Sequence, residues 1–216
     1  MKISGAIFDM DGTLLDSMHV WDGLAKSFAN SRGFTLTKEQ EEQIDTMCLD
    51  EAADFFVKEF DSNDTKEDVV KAVVSLVSDR YEKDIKAKDG VSDFLKELKK
   101  QGVKTAVATA NDVSMVEAAL SANGILEYFD VIMTCAMVGV GKEKPDIYLE
   151  AMKRLNTPKD ETLVFEDALY AAKTASNAGF NVIGIYDESA KNDADEMKKT
   201  VAVYAENFKN LMDKIK

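Results

Sequence analysis

Two aspartates one residue apart, in the stretch Asp9-Met10-Asp11-Gly12-Thr13, close an apolar run over residues 3–8. The run reads as a buried strand, so both carboxylates arrive at its C-terminal end beside a glycine turn. Carboxylates so placed repel one another and lose hydration unless a cation or a reacting phosphate shares the site. The chemistry that suits them is a divalent metal with a covalent step: one carboxylate attacks and the other moves a proton. Three further polar clusters follow apolar runs: Thr109-Ala110-Asn111, Gly141-Lys142-Glu143-Lys144-Pro145-Asp146 and Glu166-Asp167. Singly, each is an ordinary helix cap, loop or solvated turn. Together, each placed behind a different strand, they define one site.

The elements that position them follow from periodicity. Residues 103–110, 131–136, 163–165, 181–186 and 201–204 read as strands. Helical spacing marks Val91, Phe94, Leu95 and Leu98, then residues 113–120, 147–155 and 168–178, and finally Phe208, Leu211, Met212 and Ile215. Near-continuous apolar strands alternating with helices predict an α/β fold, a doubly wound parallel sheet covered on both faces. In such a sheet the strand ends face one crevice, where ligands bind. Residues 16–88 break the rhythm. They hold no convincing strand, and Trp21, Leu24 and Phe28, then Ala52, Phe55, Phe56 and Phe60, then Val69, Val73, Val77 and Tyr81 recur at helical spacing. The expected organisation is a core of residues 1–15 and 89–216 with an inserted all-helical cap of residues 16–88.

The order Asp-x-Asp-Gly-Thr, Thr-x-Asn, Lys before Pro-Asp, and Glu-Asp resembles the haloacid dehalogenase superfamily of phosphohydrolases, in its phosphoglycolate-phosphatase and β-phosphoglucomutase branch. The resemblance covers nearly the whole chain. It implies a Rossmann-like core, a helical cap of the first type, Mg²⁺, and phosphoryl transfer through an aspartyl-phosphate. Asp9 matches the nucleophile and Asp11 the general acid/base, whose backbone carbonyl also reaches the metal. Thr109, Ala110 and Asn111 match the phosphate-binding segment. Lys142 matches the lysine that neutralises the nucleophile and the phosphoryl group. Asp167 matches the protein ligand of the metal, with Glu166 beside it. Glu143 stands where the family often has proline, and the spacing to Pro145-Asp146 favours Lys142 over Lys144 as the site lysine.

The cap departs further. Mutase-type relatives carry a histidine early in the first cap helix and a basic, glycine-containing loop. Here Trp21 and the run Ile44-Asp45-Thr46-Met47-Cys48-Leu49-Asp50 stand instead. The expectation is therefore a phosphatase acting on a small phosphorylated metabolite, with a β-phosphoglucomutase-like sugar phosphate mutase as the alternative. A phospho-acceptor signalling module would need its aspartate after the third strand, where Met133-Thr134-Cys135-Ala136 offers none. Asp16-Ser17 reads as a helix cap, and His19 as a partly exposed helix residue.

Composition sets the outer bounds. The 216 residues suffice for one substantial core with a small insert, and 45% hydrophobic with 31% charged residues is an ordinary globular balance. A net charge of −13, with no basic patch or stripe visible in the sequence, argues against nucleic acid and anionic membrane as partners. No apolar stretch approaches the roughly 20 residues that span a bilayer. Cys48 and Cys135 form no CxxC pair and read as isolated buried hydrophobes, which fits a reducing cytoplasm. A monomer or weak dimer is expected.

Overall fold

A computed structural model describes residues 2–60, 63–209 and 211–215. Six parallel strands, β1 (Gly5–Phe8), β2 (Lys104–Thr109), β3 (Val131–Thr134), β4 (Thr162–Glu166), β5 (Asn181–Ile185) and β6 (Val203–Ala205), form one sheet in the order β3-β2-β1-β4-β5-β6. The chain runs outward from β1 in one direction and returns to leave it in the other. The switch point therefore lies at the C-terminal ends of β1 and β4, where a doubly wound sheet opens its crevice.

Alternation explains why both faces are covered. Ala6 and Phe8 on β1, with Leu163 and Phe165 on β4, join one buried cluster, while Ile7 and Val164 join the other. The first cluster packs under α6 (Val91–Lys100) and α7 (Val113–Ala122), the second under α9 (Asp146–Leu155) and α10 (Leu169–Asn177). Directly beneath the site the Phe8 and Phe165 rings stack, 4.3 Å apart and 14° from parallel. Asp9 N–H donates to the Phe165 carbonyl at 3.0 Å, extending the ladder past the strand end. The two segments that carry the acidic residues are thus fixed to each other by rings and backbone.

Between β1 and α6 the chain forms α1 (Met18–Trp21), α2 (Leu24–Ser31), α3 (Lys38–Ile44), α4 (Leu49–Glu59) and α5 (Lys66–Lys83). Phe28, Leu36, Phe56, Val69 and Val73 give these helices a hydrophobic cluster of their own. The helix α5 serves two clusters: Val69 and Val73 belong to this one, Val77 and Tyr81 to the core. The incoming and outgoing connectors pair antiparallel, with Asp16 N–H donating to Lys86 O and Lys88 N–H to Leu14 O, each at 2.9 Å.

Local differences from the sequence expectations have physical reasons. The helical spacing of Trp21, Leu24 and Phe28 spans two helices, because Gly23 adopts a left-handed φ of 66° and breaks the run. Cys135 and Ala136 extend no strand; they begin the one-turn helix α8 (Cys135–Val138). The helix α11 (Ala194–Thr200) has no sequence signal, since Met197 is its one buried residue and Asp195, Glu196, Lys198 and Lys199 are exposed. It is followed by β6, which starts two residues later than the pattern suggests and includes Ala205. The last helix, α12 (Leu211–Ile215), buries Leu211 and Ile215.

Candidate active site

Lys142 is the hinge of the site's electrostatics. It lies in the loop before α9, is 4% exposed, and donates to both Asp9 Oδ1 and, at 2.8 Å, Glu166 Oε1. Burial disfavours its charge, yet the two carboxylates outweigh that and hold its pKa well above the usual lysine range. Tyr148, from α9, completes the Glu166 Oε1 environment with a 2.7 Å hydrogen bond. Lys144, two residues on, is exposed to solvent, so the structure separates the two lysines as spacing did.

Asp9, Glu166 and Asp167 are all buried and each offers an oxygen within 4.8 Å of the others. Three carboxylates face one ammonium. Burial, followed by the charges of Asp9 and Glu166, pushes Asp167 well above the carboxylate range. Burial likewise lifts Glu166 to about 7, against the opposing pull of Lys142. Such an excess of buried negative charge is unfavourable in itself and is the donor set a hard divalent cation takes. Asp167 is oriented by Thr13, whose hydroxyl donates to Oδ1 at 3.0 Å. Gly12 makes room for it: φ is +78°, and a Cβ there would sit 2.3 Å from Asp167 Oδ2. Glycine is required on both counts.

The carboxylate of Asp11 takes no part in that cluster. It accepts from Ser17 at 2.6 Å, from Tyr81 and from the Asn111 amide. Burial and the charge of Asp9 raise its pKa to about 6, although the Ser17 and Tyr81 hydroxyls oppose the rise. Ser17, expected as a helix cap, makes no side-chain cap bond and serves Asp11 instead. Tyr81 is fully buried on α5 and accepts from Trp21 Nε1 at 2.6 Å, so an indole–phenol–carboxylate chain reaches Asp11 from the inserted helices. The spacing of Tyr81 marked it only as a helix core position; its hydroxyl partner is two segments away in sequence and left no signal. His19 is exposed.

Thr109 and Asn111 are buried at the end of β2, with Asn111 N–H donating to Thr109 Oγ1 at 3.2 Å. Ala110 is half-buried and its carbonyl accepts from Leu49 N–H, at the start of α4, at 3.3 Å. One turn into α4, Glu51 accepts the Gly141 N–H at 2.9 Å. The inserted helices thus touch the core at two points flanking Thr109 and Lys142. The structure brings Asp9, Lys142, Glu166 and Asp167 into direct contact range and ties Asp11 to Asn111.

Comparison with known proteins identifies the family. The profile of the haloacid dehalogenase-like hydrolases matches residues 6–185. A phosphorylated carbohydrates phosphatase of Thermotoga maritima is 28% identical over 181 residues, 84% of each chain. Hexitol phosphatase B of Escherichia coli is 25% identical over 195 residues, covering 89% of this chain and 87% of the relative. The crystal structure of CbbY from Rhodobacter sphaeroides in complex with phosphate superposes with a TM-score of 0.82 at 24% identity, covering 97% and 96% of the two chains. The chain belongs to the haloacid dehalogenase-like hydrolase family and is an enzyme of its phosphatase type.

Proposed function

We propose that this enzyme is a Mg²⁺-dependent phosphatase that hydrolyses a small phosphorylated metabolite through an aspartyl-phosphate on Asp9. The observation that carries the reading is the buried Lys142, bridging Asp9 and Glu166 with Asp167 alongside. Asp9 attacks phosphorus in line; the P–O bond to the leaving group breaks and its electron pair stays on the leaving oxygen. Asp11, raised to about 6, gives that oxygen a proton. As a carboxylate it then takes a proton from the water that attacks the acyl phosphate, and Asp9 is regenerated. Thr109 Oγ, which accepts the Asn111 N–H and keeps its own proton free to donate, and the backbone N–H of Ala110 hold phosphoryl oxygens. Lys142 neutralises charge on Asp9 and the phosphoryl group together.

Asp9, Asp167 and the Asp11 backbone carbonyl would hold the magnesium ion, with Glu166 beside them. Bound there, it supplies positive charge to the phosphoryl oxygens, a charge this acidic chain otherwise meets with one buried lysine. Residues 16–88 act as a cap on the core of residues 1–15 and 89–216, closing to exclude water and reopening for release. The named relatives act on phosphorylated carbohydrates and hexitol phosphates, which supports a sugar-like metabolite. A negatively charged protein with no helix long and apolar enough to cross a membrane, among the described residues, suits a cytoplasmic small-molecule enzyme.

The test is a panel of phosphorylated sugars and polyols with Mg²⁺ or with a chelator. Phosphate release is expected with Mg²⁺, none with chelator, and none from Asp9→Asn at unchanged melting temperature. Release by Asp9→Asn at the wild-type rate would refute the mechanism. Conversion of β-glucose 1-phosphate to glucose 6-phosphate, primed by the bisphosphate, would favour the mutase instead.

A further inference from the structure

Glu51 does more than its place in α4 requires. It stands three residues after Cys48, and its Oε2 accepts the Cys48 N–H at 3.1 Å, an ordinary way to cap a helix start. The other oxygen leaves the helix. Oε1 accepts the N–H of Gly141 at 2.9 Å, across the seam between the inserted helices and the core. Gly141 is buried and directly precedes Lys142, in the loop between α8 and α9. The acceptor for this loop N–H thus comes from the insert. Gly141 has no left-handed φ, so its backbone would admit alanine. What demands glycine is the insert: a Cβ there would lie 2.6 Å from Glu51 Oε2. It would also meet the Glu143 carboxylate, which sits on an exposed side chain and can swing away.

We infer that Glu51 is a positioning residue for Lys142: when the insert docks, its carboxylate clasps the backbone just before Lys142 and sets the ammonium against Asp9. The lysine already bridges two carboxylates, Asp9 and Glu166. A phosphoryl group arriving on Asp9 is a third anion for the same ammonium, so a small drift of the loop is felt as lost charge stabilisation. The clasp needs a carboxylate. One oxygen caps α4 while the other holds the loop, so a single rigid group ties helix to lysine. Leu49 N–H, bonded to the Ala110 carbonyl at 3.3 Å, seats the same turn of α4 beside Thr109. The docked turn therefore braces the lysine loop and the end of β2 together, and turnover waits for docking.

The contact depends on no assumption about catalysis; the role given to it rests on the phosphatase reading of Lys142 and on residues 16–88 closing over the core. Glu51→Asp separates the clasp from helix capping. Aspartate can still cap α4, as Asp68 does at the same position of α5 by accepting the Thr65 N–H at 3.1 Å, but it is one methylene too short for Gly141. Phosphate release, melting temperature and amide hydrogen exchange are measured with Mg²⁺, the last with inorganic phosphate added. Glu51→Asp should melt as wild type does, with kcat down roughly tenfold, the size of one charge-assisted hydrogen bond. Its Mg²⁺ requirement should not move, since Asp9 and Asp167 keep Phe165 and Thr13 as partners. The Gly141 amide should exchange about tenfold faster, and the Asp9 amide as before. Gly141→Ala should cost as much in the wild-type background and little more on top of Glu51→Asp, where the shorter carboxylate leaves room for the methyl. A wild-type kcat in Glu51→Asp, or an equal cost of Gly141→Ala in both backgrounds, would overturn the positioning role. A Gly141 amide that exchanges alike with and without the substitution would overturn the clasp itself. Absent turnover in the wild type would count against the phosphatase reading, with the clasp still read by exchange.

Discussion

Replacing Gly12 by alanine isolates the contact between the turn after β1 and the carboxylate after β4. Two terms act. The left-handed φ of +78° costs an L-residue roughly 1–2 kcal/mol. The new methyl would also lie 2.3 Å from Asp167 Oδ2 and 2.7 Å from its Cγ, where real Cβ contacts begin near 3.0 Å, so the carboxylate must retreat by about 0.7 Å. Overpacking of that kind adds about 1–3 kcal/mol. Gly33 supplies the control, with a φ of +83° and nothing within 4 Å of a built Cβ, so Gly33→Ala carries the backbone term alone. Gly12→Ala should therefore lower the melting temperature about twice as far as Gly33→Ala. Moving a carboxylate proposed to bind the metal should also weaken Mg²⁺ and slow turnover by about 10–100-fold. Gly33→Ala should leave both unchanged. The assays are thermal unfolding, Mg²⁺-dependent stabilisation and phosphate release for the two variants side by side. Wild-type Mg²⁺ affinity and turnover in Gly12→Ala would refute the assignment of Asp167.

Other substitutions test other parts of the site. Lys142→Met leaves Asp9 and Glu166 buried without their cation, and should cost about 3–5 kcal/mol and at least ~10²-fold in kcat; Lys144→Ala should match wild type in both denaturation and turnover. Tyr81→Phe removes a donor from Asp11 without reaching phosphorus. Its kcat/KM should fall several-fold more for an alkyl phosphate, whose leaving oxygen needs a proton, than for p-nitrophenyl phosphate; an equal fall for both would mean a merely structural role. Lys88 pairs with Asp187 at 2.8 Å beside the connectors. Burial opposes ionisation of Asp187, but Lys88 and Ser189 overcome it and hold its pKa below the usual range. The pair's contribution is therefore present above the ordinary aspartate pKa near 4 and fades as pH falls through the lower folded value. Lys88→Met should lower stability at neutral pH, and the gap from wild type should narrow in acid unfolding below about pH 4.

Much of this molecule is written in local pattern. The alternation of Ala6, Ile7 and Phe8 and the apolar spacing around Val91 and Leu98 sort themselves by period, so the parallel sheet and its covering helices are legible. The four polar clusters are legible for the same reason: each lies directly behind a strand, and the crossover rules bring strand ends to one side. What the sequence hides is contact between segments whose period says only that they are buried. Tyr81 and Val77 share a helical stripe, and nothing local distinguishes the phenol that reaches Asp11 from the valine that packs. Cys48 reads as an isolated small hydrophobe because its place in the core cluster that also holds Cys135 depends on how α4 docks. Ser17 looks like a cap because capping is local, whereas its partner Asp11 is set by the turn at Gly12. Helix α11 is invisible because its amphipathicity rests on Met197 alone.

The central claim is that Asp9 accepts the phosphoryl group. The most direct measurement traps the enzyme with acid during turnover with Mg²⁺, reduces it with borohydride, and sequences the peptides by mass spectrometry. An acyl phosphate is reduced to the alcohol, so homoserine is expected at position 9, and at no position in Asp9→Asn. Homoserine elsewhere, or an unmodified Asp9 at full turnover, would contradict the account.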